Sequence, residues 1–228
     1  MNRPVRVIPR LDIKGPNLVK GIQLEGNRVL GVAEQFSDIY YAEGADELIY
    51  QDVVASLYMR NSLLDVVRKT AKEIFIPLTV AGGIRSIDDI RALLRAGADK
   101  VAINKAAIEN PKLLSEAAKI FGSQCIVSSI EAYGHNGKYQ VWADYGRQVV
   151  DRDAIEWAKR VVDLGVGEIL LTSIDREGTG RGYDLELIEK VAAHVSVPVI
   201  ACGGAGREED FIKAVKQGAA DAVSAASV

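Results

Sequence analysis

Two stretches of this 228-residue chain are copies of one another. AGGIRSIDDIRALLRAGADKVAINKAAI, beginning at Ala81, aligns with CGGAGREEDFIKAVKQGAADAVSAAS, beginning at Cys202. Gly83 pairs with Gly204 and Gly97 with Gly218, at an offset of 121 in both cases. EGADELIYQD (Glu43–Asp52) echoes LGVGEILLTSID (Leu164–Asp175), with Asp52 and Asp175 separated by 123 positions, and Asp12 meets Glu131 at an offset of 119. Duplication on this scale calls for an architecture assembled from two equivalent halves.

Hydrophobic periodicity supplies the content of each half. Short apolar runs predict strands near 5–12, 47–52, 76–81, 100–104, 125–131, 167–172, 197–202 and 221–225. Helical patterns fall between them, near 33–43, 61–74, 87–96, 111–121, 153–164, 185–195 and 208–217. RSIDDIRALLRAGAD shows the pattern: Ser86 as N-cap, Ile87, Ile90, Leu93 and Leu94 on one face, Gly97 just past the end. Strict strand–helix alternation means parallel strands with crossover helices. Eight strands in two halves, about 1–121 and 122–228, predict a single-domain closed (βα)₈ barrel. An open doubly wound sheet needs no such halving, and the GxGxxG turn it usually carries after its first strand is absent. No eighth helix follows the last strand before Val228, so the architecture leads one to expect about 20 further residues.

Composition narrows the chemistry. Hydrophobic residues at 48% and charged residues at 26% suit a globular domain, and a net charge of −3 speaks against a general nucleic-acid binder. Anionic small molecules stay open, because backbone N–H groups hold phosphate whatever the net charge. Cys125 and Cys202 lie far apart inside apolar runs, with no metal-ligand spacing, and read as buried thiols. The N-terminus lacks a signal-peptide core and no apolar run reaches about 18 residues, which leads to a cytoplasmic expectation without a membrane. His135 lies in a Gly- and Asn-bearing turn and His194 near a helix end, so histidine catalysis is not expected, nor is a metal or organic cofactor.

In such barrels the chemistry sits where strands run into the following loops. That rim gathers Asp12, Asp52, Gly82–Gly83, Asn104, Glu131, Thr172, Asp175 and Gly203–Gly204. Asp12 and Glu131 end strands one and five and would face each other across the mouth, which suits general acid/base work on a ligand between them; each could also simply cap its own turn. The two glycine pairs precede helices and could cradle one phosphate each, or mark only tight turns. At the other end, Arg6, Glu47, Lys100 and Glu168 begin strands one, two, four and six. They read either as solvated strand starts or as a self-neutralising ring about the barrel axis that could gate a passage.

The segments IPRLDIK, LVKG, EGADELIYQD, FIPLTVAGGIRS, LLRAGADKVAIN, FGSQCIV, GEILLTSIDREGT, GYDLELI and VPVIACGGAG resemble the cyclase subunit of imidazole glycerol phosphate synthase, from about Arg6 to Val228. The resemblance implies a barrel that receives ammonia from a glutaminase subunit docked at its N-terminal face. It implies use of that ammonia on a bisphosphorylated ribulosyl-aminoimidazole-carboxamide ribonucleotide, giving imidazole glycerol phosphate and an aminoimidazole carboxamide ribotide. By the same likeness Asp12 is the first catalytic carboxylate, paired with Glu131, and Lys20 is a mobile-loop lysine. Gly83, Asn104, Gly178, Gly204 and Ser227 match phosphate positions, while Thr172, Asp52 and Glu177 belong to the substrate site. Arg6, Glu47, Lys100 and Glu168 match an ammonia gate.

The departures are specific. Glu131 and Glu177 stand where the family carries aspartate, Lys105 where threonine is usual, Arg10 in place of a cysteine, Ala81 in place of a glycine, and Cys202 in place of a serine. An added methylene moves a carboxylate by about 1.5 Å, the scale of a bond. These departures are similar to a paralogous branch that channels ammonia to a sugar amidotransferase for acetamidino modification of surface polysaccharide. A non-catalytic subunit that docks on and activates a glutaminase is a further alternative.

Overall fold

The computed structural model of the chain describes residues 5–55 and 63–226. In chain order the strands are β1 (Arg6–Lys14), β2 (Asn17–Ile22), β3 (Glu25–Val32), β4 (Leu48–Asp52), β5 (Leu78–Ala81), β6 (Lys100–Ile103), β7 (Ile126–His135), β8 (Lys138–Ala143), β9 (Gln148–Asp153), β10 (Glu168–Ser173), β11 (Val199–Cys202) and β12 (Ala222–Ala225). The helices are α1 (Ala33–Ala42), α2 (Leu64–Glu73), α3 (Ile87–Ala96), α4 (Lys105–Glu109), α5 (Lys112–Phe121), α6 (Ala154–Asp163), α7 (Leu185–Ala192) and α8 (Glu208–Lys216).

Eight parallel strands pair in the order β10-β11-β12-β1-β4-β5-β6-β7, and β7 pairs with β10 to close the barrel. Each expected strand is present. Two antiparallel additions were not expected: a β2–β3 hairpin where the sequence was read as a loop, and β8–β9, which extend β7 beyond the barrel. β1 continues past Asp12 to Lys14 because Asp12–Lys14 pair with β2. The short α4 also precedes α5, which was expected to follow the fourth barrel strand directly. The expected helix at 61–74 appears as α2, positions 61 and 62 lying outside the described residues.

Two apolar layers result from the strands' period of two. Outward side chains join the helices in a large core that includes Leu11, Ile13, Leu48, Tyr50, Ile90, Leu93, Leu114 and Trp157. Inward ones form a separate cluster of Ile8, Ile49, Ala81, Ala102, Val127, Leu170, Ile200, Cys202 and Ala222, to which every barrel strand contributes. The repeated halves also reuse backbone devices. Asp99 accepts from Leu78 N at 2.9 Å, and Asp221 accepts from Val199 N at 2.9 Å. Asp89 accepts from Arg85 N at 3.0 Å at the start of α3, while Asp210 accepts from Gly206 N at 3.1 Å and from Arg207 N at 3.2 Å at the start of α8.

Gly82 and Gly203 both have φ +94°, and a Cβ would lie 2.3 Å from Asp52 O in the first case and 2.6 Å from Ser173 O in the second. The preceding barrel strand therefore passes too close for any side chain. Gly82→Ala and Gly203→Ala are each expected to lower unfolding stability by roughly 3 kcal/mol, from left-handed strain plus backbone displacement. Gly137→Ala has φ +74° but open space at Cβ, and should cost only about 1 kcal/mol. Urea denaturation of the three variants in parallel checks this; equal losses would show that the carbonyl contact carries no weight.

Candidate active site

Position in the barrel order sets the geometry of the mouth. β1 and β7 lie four strands apart in either direction, so Asp12 and Glu131 come from opposite walls. β5 and β11 are likewise opposite, and they carry the two glycine pairs. Along β1 the inward face presents Ile8, Arg10 and Asp12 in succession, so an arginine lies above the apolar interior and directly beneath a carboxylate.

Arg10 organises the centre. Its Nε donates to Asp12 Oδ1 at 2.9 Å and its Nη2 to Asp12 Oδ2 at 3.0 Å. The same guanidinium reaches Glu177 Oε1 at 2.9 Å, Glu177 Oε2 at 3.4 Å and Cys202 Sγ at 2.9 Å. Arg10 and Asp12 are each 4% exposed. Burial opposes the arginine's charge, but attraction to Asp12 and Glu177 outweighs it and holds the guanidinium protonated above its ordinary range.

The β8–β9 turn completes the centre. Asp144, Tyr145 and Gly146 all have positive φ, at 60°, 57° and 70°. This left-handed run is unusual for a tyrosine. It lets neighbouring residues serve both carboxylates: Tyr145 OH donates to Asp12 Oδ2 at 2.9 Å, and Gly146 N donates to Glu131 Oε2 at 2.8 Å. Burial and the Asp12 charge push the Tyr145 phenol well up, which keeps it a donor. Burial likewise raises Glu131 to about 7, against the opposing pull of the Gly146 N–H and Arg10.

Two spaces flank this centre. A cavity of about 290 Å³ is lined by Asp52, Gly82, Gly83, Arg85, Asn104, Lys105, Glu131, Asp144 and Tyr145, among others. Asn104 gives its amide N–H groups to Ser129 O at 3.1 Å and Trp142 O at 3.3 Å, while its buried Oδ1 has no hydrogen-bond partner among the described residues. Opposite, a cleft of about 20 Å³ is lined by Glu177, Gly178, Cys202, Gly203, Gly204 and Ser224. Of the expected pair of carboxylates, only Glu131 lines the larger cavity; Asp12 is turned into the Arg10 cluster. Thr172 is buried in register with Glu131 and Cys202. Lys20 is exposed on β2, whose hairpin docks through Gln23 N to Glu177 O at 2.8 Å. Leu24, at the tip of that hairpin, packs with Val19, Val53, Val54, Tyr145 and Ile174 over the mouth. Ser227 lies outside the described residues.

At the barrel's other end, Arg6, Glu47, Lys100 and Glu168 alternate in sign around a closed ring. Arg6 bonds Glu47 at 2.7 Å and also bonds Glu168; Lys100 bonds Glu47 at 2.9 Å and Glu168 at 3.0 Å. Among the described residues no group of His, Cys, Asp and Glu is arranged to hold a metal, and no helix is long and apolar enough to cross a membrane.

The sequence reading missed Tyr145, Gly146 and the bridging role of Arg10. DYG between VWA and QVV was the available signal for a hairpin turn. The raised Glu131 gives a stability prediction. A carboxyl that is protonated up to about pH 7 when folded, but only up to about 4.5 when unfolded, makes folding take up a proton between those values. Stability from this group is therefore complete at the acid end and is lost as pH rises to 7. Glu131→Gln removes that loss, so its stability relative to the unsubstituted protein should improve by about 3 kcal/mol from pH 4.5 to pH 8. Denaturant melts at both pH values measure it, and a constant difference would contradict the raised carboxyl.

The comparisons with known proteins agree with this architecture. A family model described as histidine biosynthesis protein matches residues 6–228. The imidazole glycerol phosphate synthase subunit HisF of Legionella pneumophila is 58% identical over 208 residues, spanning 91% of this chain and 98% of its own. The subunit of the same name from Corynebacterium glutamicum strain R is 51% identical over 235 residues, spanning 100% and 91%. That of Methanopyrus kandleri is 48% identical over 242 residues, spanning 98% and 89%. The chain belongs to the histidine biosynthesis protein family, beside the HisF subunits of imidazole glycerol phosphate synthase.

Proposed function

We propose that this barrel is an ammonia-using cyclase and lyase subunit of a glutamine amidotransferase. It converts a bisphosphorylated ribulosyl-aminoimidazole-carboxamide ribonucleotide and ammonia to imidazole glycerol phosphate and aminoimidazole carboxamide ribotide. The observation that carries this reading is the mouth itself, in which Asp12 and Glu131 come from opposite walls between two opposed glycine cradles. One phosphate sits at Gly83, Asn104 and Lys105, where Arg85 adds positive charge to the wall. The other sits at Gly178 and Gly204. Asp52 and Thr172 contact the substrate between them, Glu177 supports the second cradle, and Lys20 closes from the β2–β3 hairpin.

A glutaminase subunit docks at the N-terminal face and releases ammonia at the Arg6–Glu47–Lys100–Glu168 ring. Ammonia then crosses an interior that includes a cluster of aliphatic side chains and Cys202. It attacks the ribulosyl carbonyl; water leaves and an imine forms. Proton transfers at Asp12 and Glu131 accompany cleavage of a carbon–nitrogen bond and closure of the imidazole ring. The protein works in the cytoplasm, where glutamine and the phosphorylated intermediate are available.

Arg10 favours a second reading. A guanidinium in the centre of the mouth, occupied by two carboxylates, suits a paralogue that passes ammonia to a sugar amidotransferase. Turnover separates the two. With an ammonium salt at basic pH and the bisphosphorylated substrate, the full-length barrel should form the imidazole product, and Asp12→Asn and Glu131→Gln should each lower kcat at least 100-fold. A folded barrel without turnover that still activates a glutaminase would overturn the cyclase reading and send the search to an amidated sugar.

The ring gives its own prediction. Lys100→Ala removes two of the four ring bonds and leaves Glu47 and Glu168 under-neutralised. The ratio of glutamine-dependent to ammonium-dependent turnover in the complex should fall at least threefold; an unchanged ratio would remove the ring from the ammonia route.

A further inference from the structure

We propose that the chain carries an anion site outside the mouth, which takes the phosphate group of a small phosphate monoester between Arg176, Arg181 and Lys213. This site is independent of the cyclase reading.

A cavity of about 350 Å³ lies between the β10–α7 loop and α8, and none of its lining residues lines either space of the mouth. Arg176 and Arg181 line it from the loop and Lys213 from α8. Arg176 and Lys213 are half-buried. Every other half-buried lysine or arginine among the described residues has a partner for its charge. Arg6, Arg91, Lys100, Lys105, Lys159 and Lys190 each have a carboxylate within 4.0 Å, and Arg152 lies over the Trp157 ring. Arg176 and Lys213 have neither among these residues, and nor has the exposed Arg181. Taking water from a cation without supplying an anion is costly. Two such cations in one cavity point to an anion from outside the chain.

Three carboxylates also line the cavity, and each is engaged elsewhere. Asp184 caps α7 by accepting from Leu187 N at 3.0 Å, and it also accepts from Tyr139 OH at 3.1 Å. Glu186 pairs with Lys190 at 2.7 Å. Asp210 accepts from Gly206 N at 3.1 Å and Arg207 N at 3.2 Å at the start of α8. Two of the three are thus held at helix N-termini, where the backbone offsets a negative charge, and the third by a lysine outside the cavity. The three cations are left to a ligand.

A phosphate dianion suits them, because arginine N–H groups fork onto phosphate oxygens and a lysine adds a point charge. The volume accommodates a phosphate with a small sugar or polyol attached. The wall behind is fixed: Tyr183 is buried, donates its OH to Ser224 O at 2.9 Å and packs on Phe211. Gly182 N donates to Gly204 O at 2.7 Å, which ties the loop carrying both arginines to the second glycine pair. A phosphate at this site and a ligand in the mouth would therefore touch the same loop.

The test is an NMR titration of ¹⁵N-labelled full-length protein with inorganic phosphate at about pH 7.5, where the dianion predominates. Chloride is exchanged out to hold the ionic strength constant. The Nε–H signals of Arg176 and Arg181 should shift saturably, and Lys213→Met, which keeps the stem, should weaken that binding about fivefold or more. Ribose 5-phosphate should reproduce the shifts and ribose should not. Absence of saturable shifts, unchanged affinity in Lys213→Met, or equal shifts with ribose would each overturn the site. The Gly83 amide reports on the mouth in the same spectra. If it stays still while the arginine signals move, the phosphate reading of the mouth fails and the outer site stands.

Discussion

Any charge that a closed barrel turns inward loses its water and must find its partner inside the protein. This constraint shapes both ends of the molecule. At the bottom, two cations and two anions alternate in a ring, so each side chain meets two opposite charges and none is left over. At the top, one arginine answers two carboxylates, Asp12 and Glu177, and a tyrosine supplies an additional donor. Between the two layers lies an apolar cluster of aliphatic side chains and Cys202, with alanine at three of its positions. The two charged layers are therefore separate electrostatic systems, one a closed four-membered ring and one a single arginine shared by two carboxylates.

The barrel strands alone do not complete the upper system. A turn outside the barrel adds a donor to each of Asp12 and Glu131, where three successive left-handed residues bring Tyr145 and Gly146 to opposite walls. The β2–β3 hairpin closes the same space from the other side, with Leu24 beside Tyr145 and Ile174. The barrel strands thus hold the two glycine pairs, while the hairpins outside the barrel cover the mouth and supply donors to its carboxylates.

The asymmetry between Asp12 and Glu131 follows from where water was removed. Both are buried, yet one accepts from a guanidinium and a phenol, and the other accepts from a single backbone N–H and lines an open cavity. Two carboxylates at matching positions of the repeat thus have different surroundings.

The eight barrel strands, their parallel direction and the paired glycines at two strand ends were legible in the sequence because each is local or periodic: alternation at two, helical stripes at 3.6, and a duplication near 121. The four ring residues were legible for the same reason, since a charge at each of four strand starts is a register statement. The hairpins were not. Gly15 and Pro16 precede β2, Gly21 and Gly26 interrupt the alternation of β2 and β3, and the two strands pair with each other and with the upper end of β1. Arg10 stood out only as a departure; that it spans Asp12, Glu177 and Cys202 depends on positions up to 192 residues away. Sequence by itself determined which residues would line the barrel, because side-chain direction is set strand by strand. Only the tertiary structure decided which of them neutralise one another, because pairing a desolvated charge depends on distances across the barrel that no local pattern records.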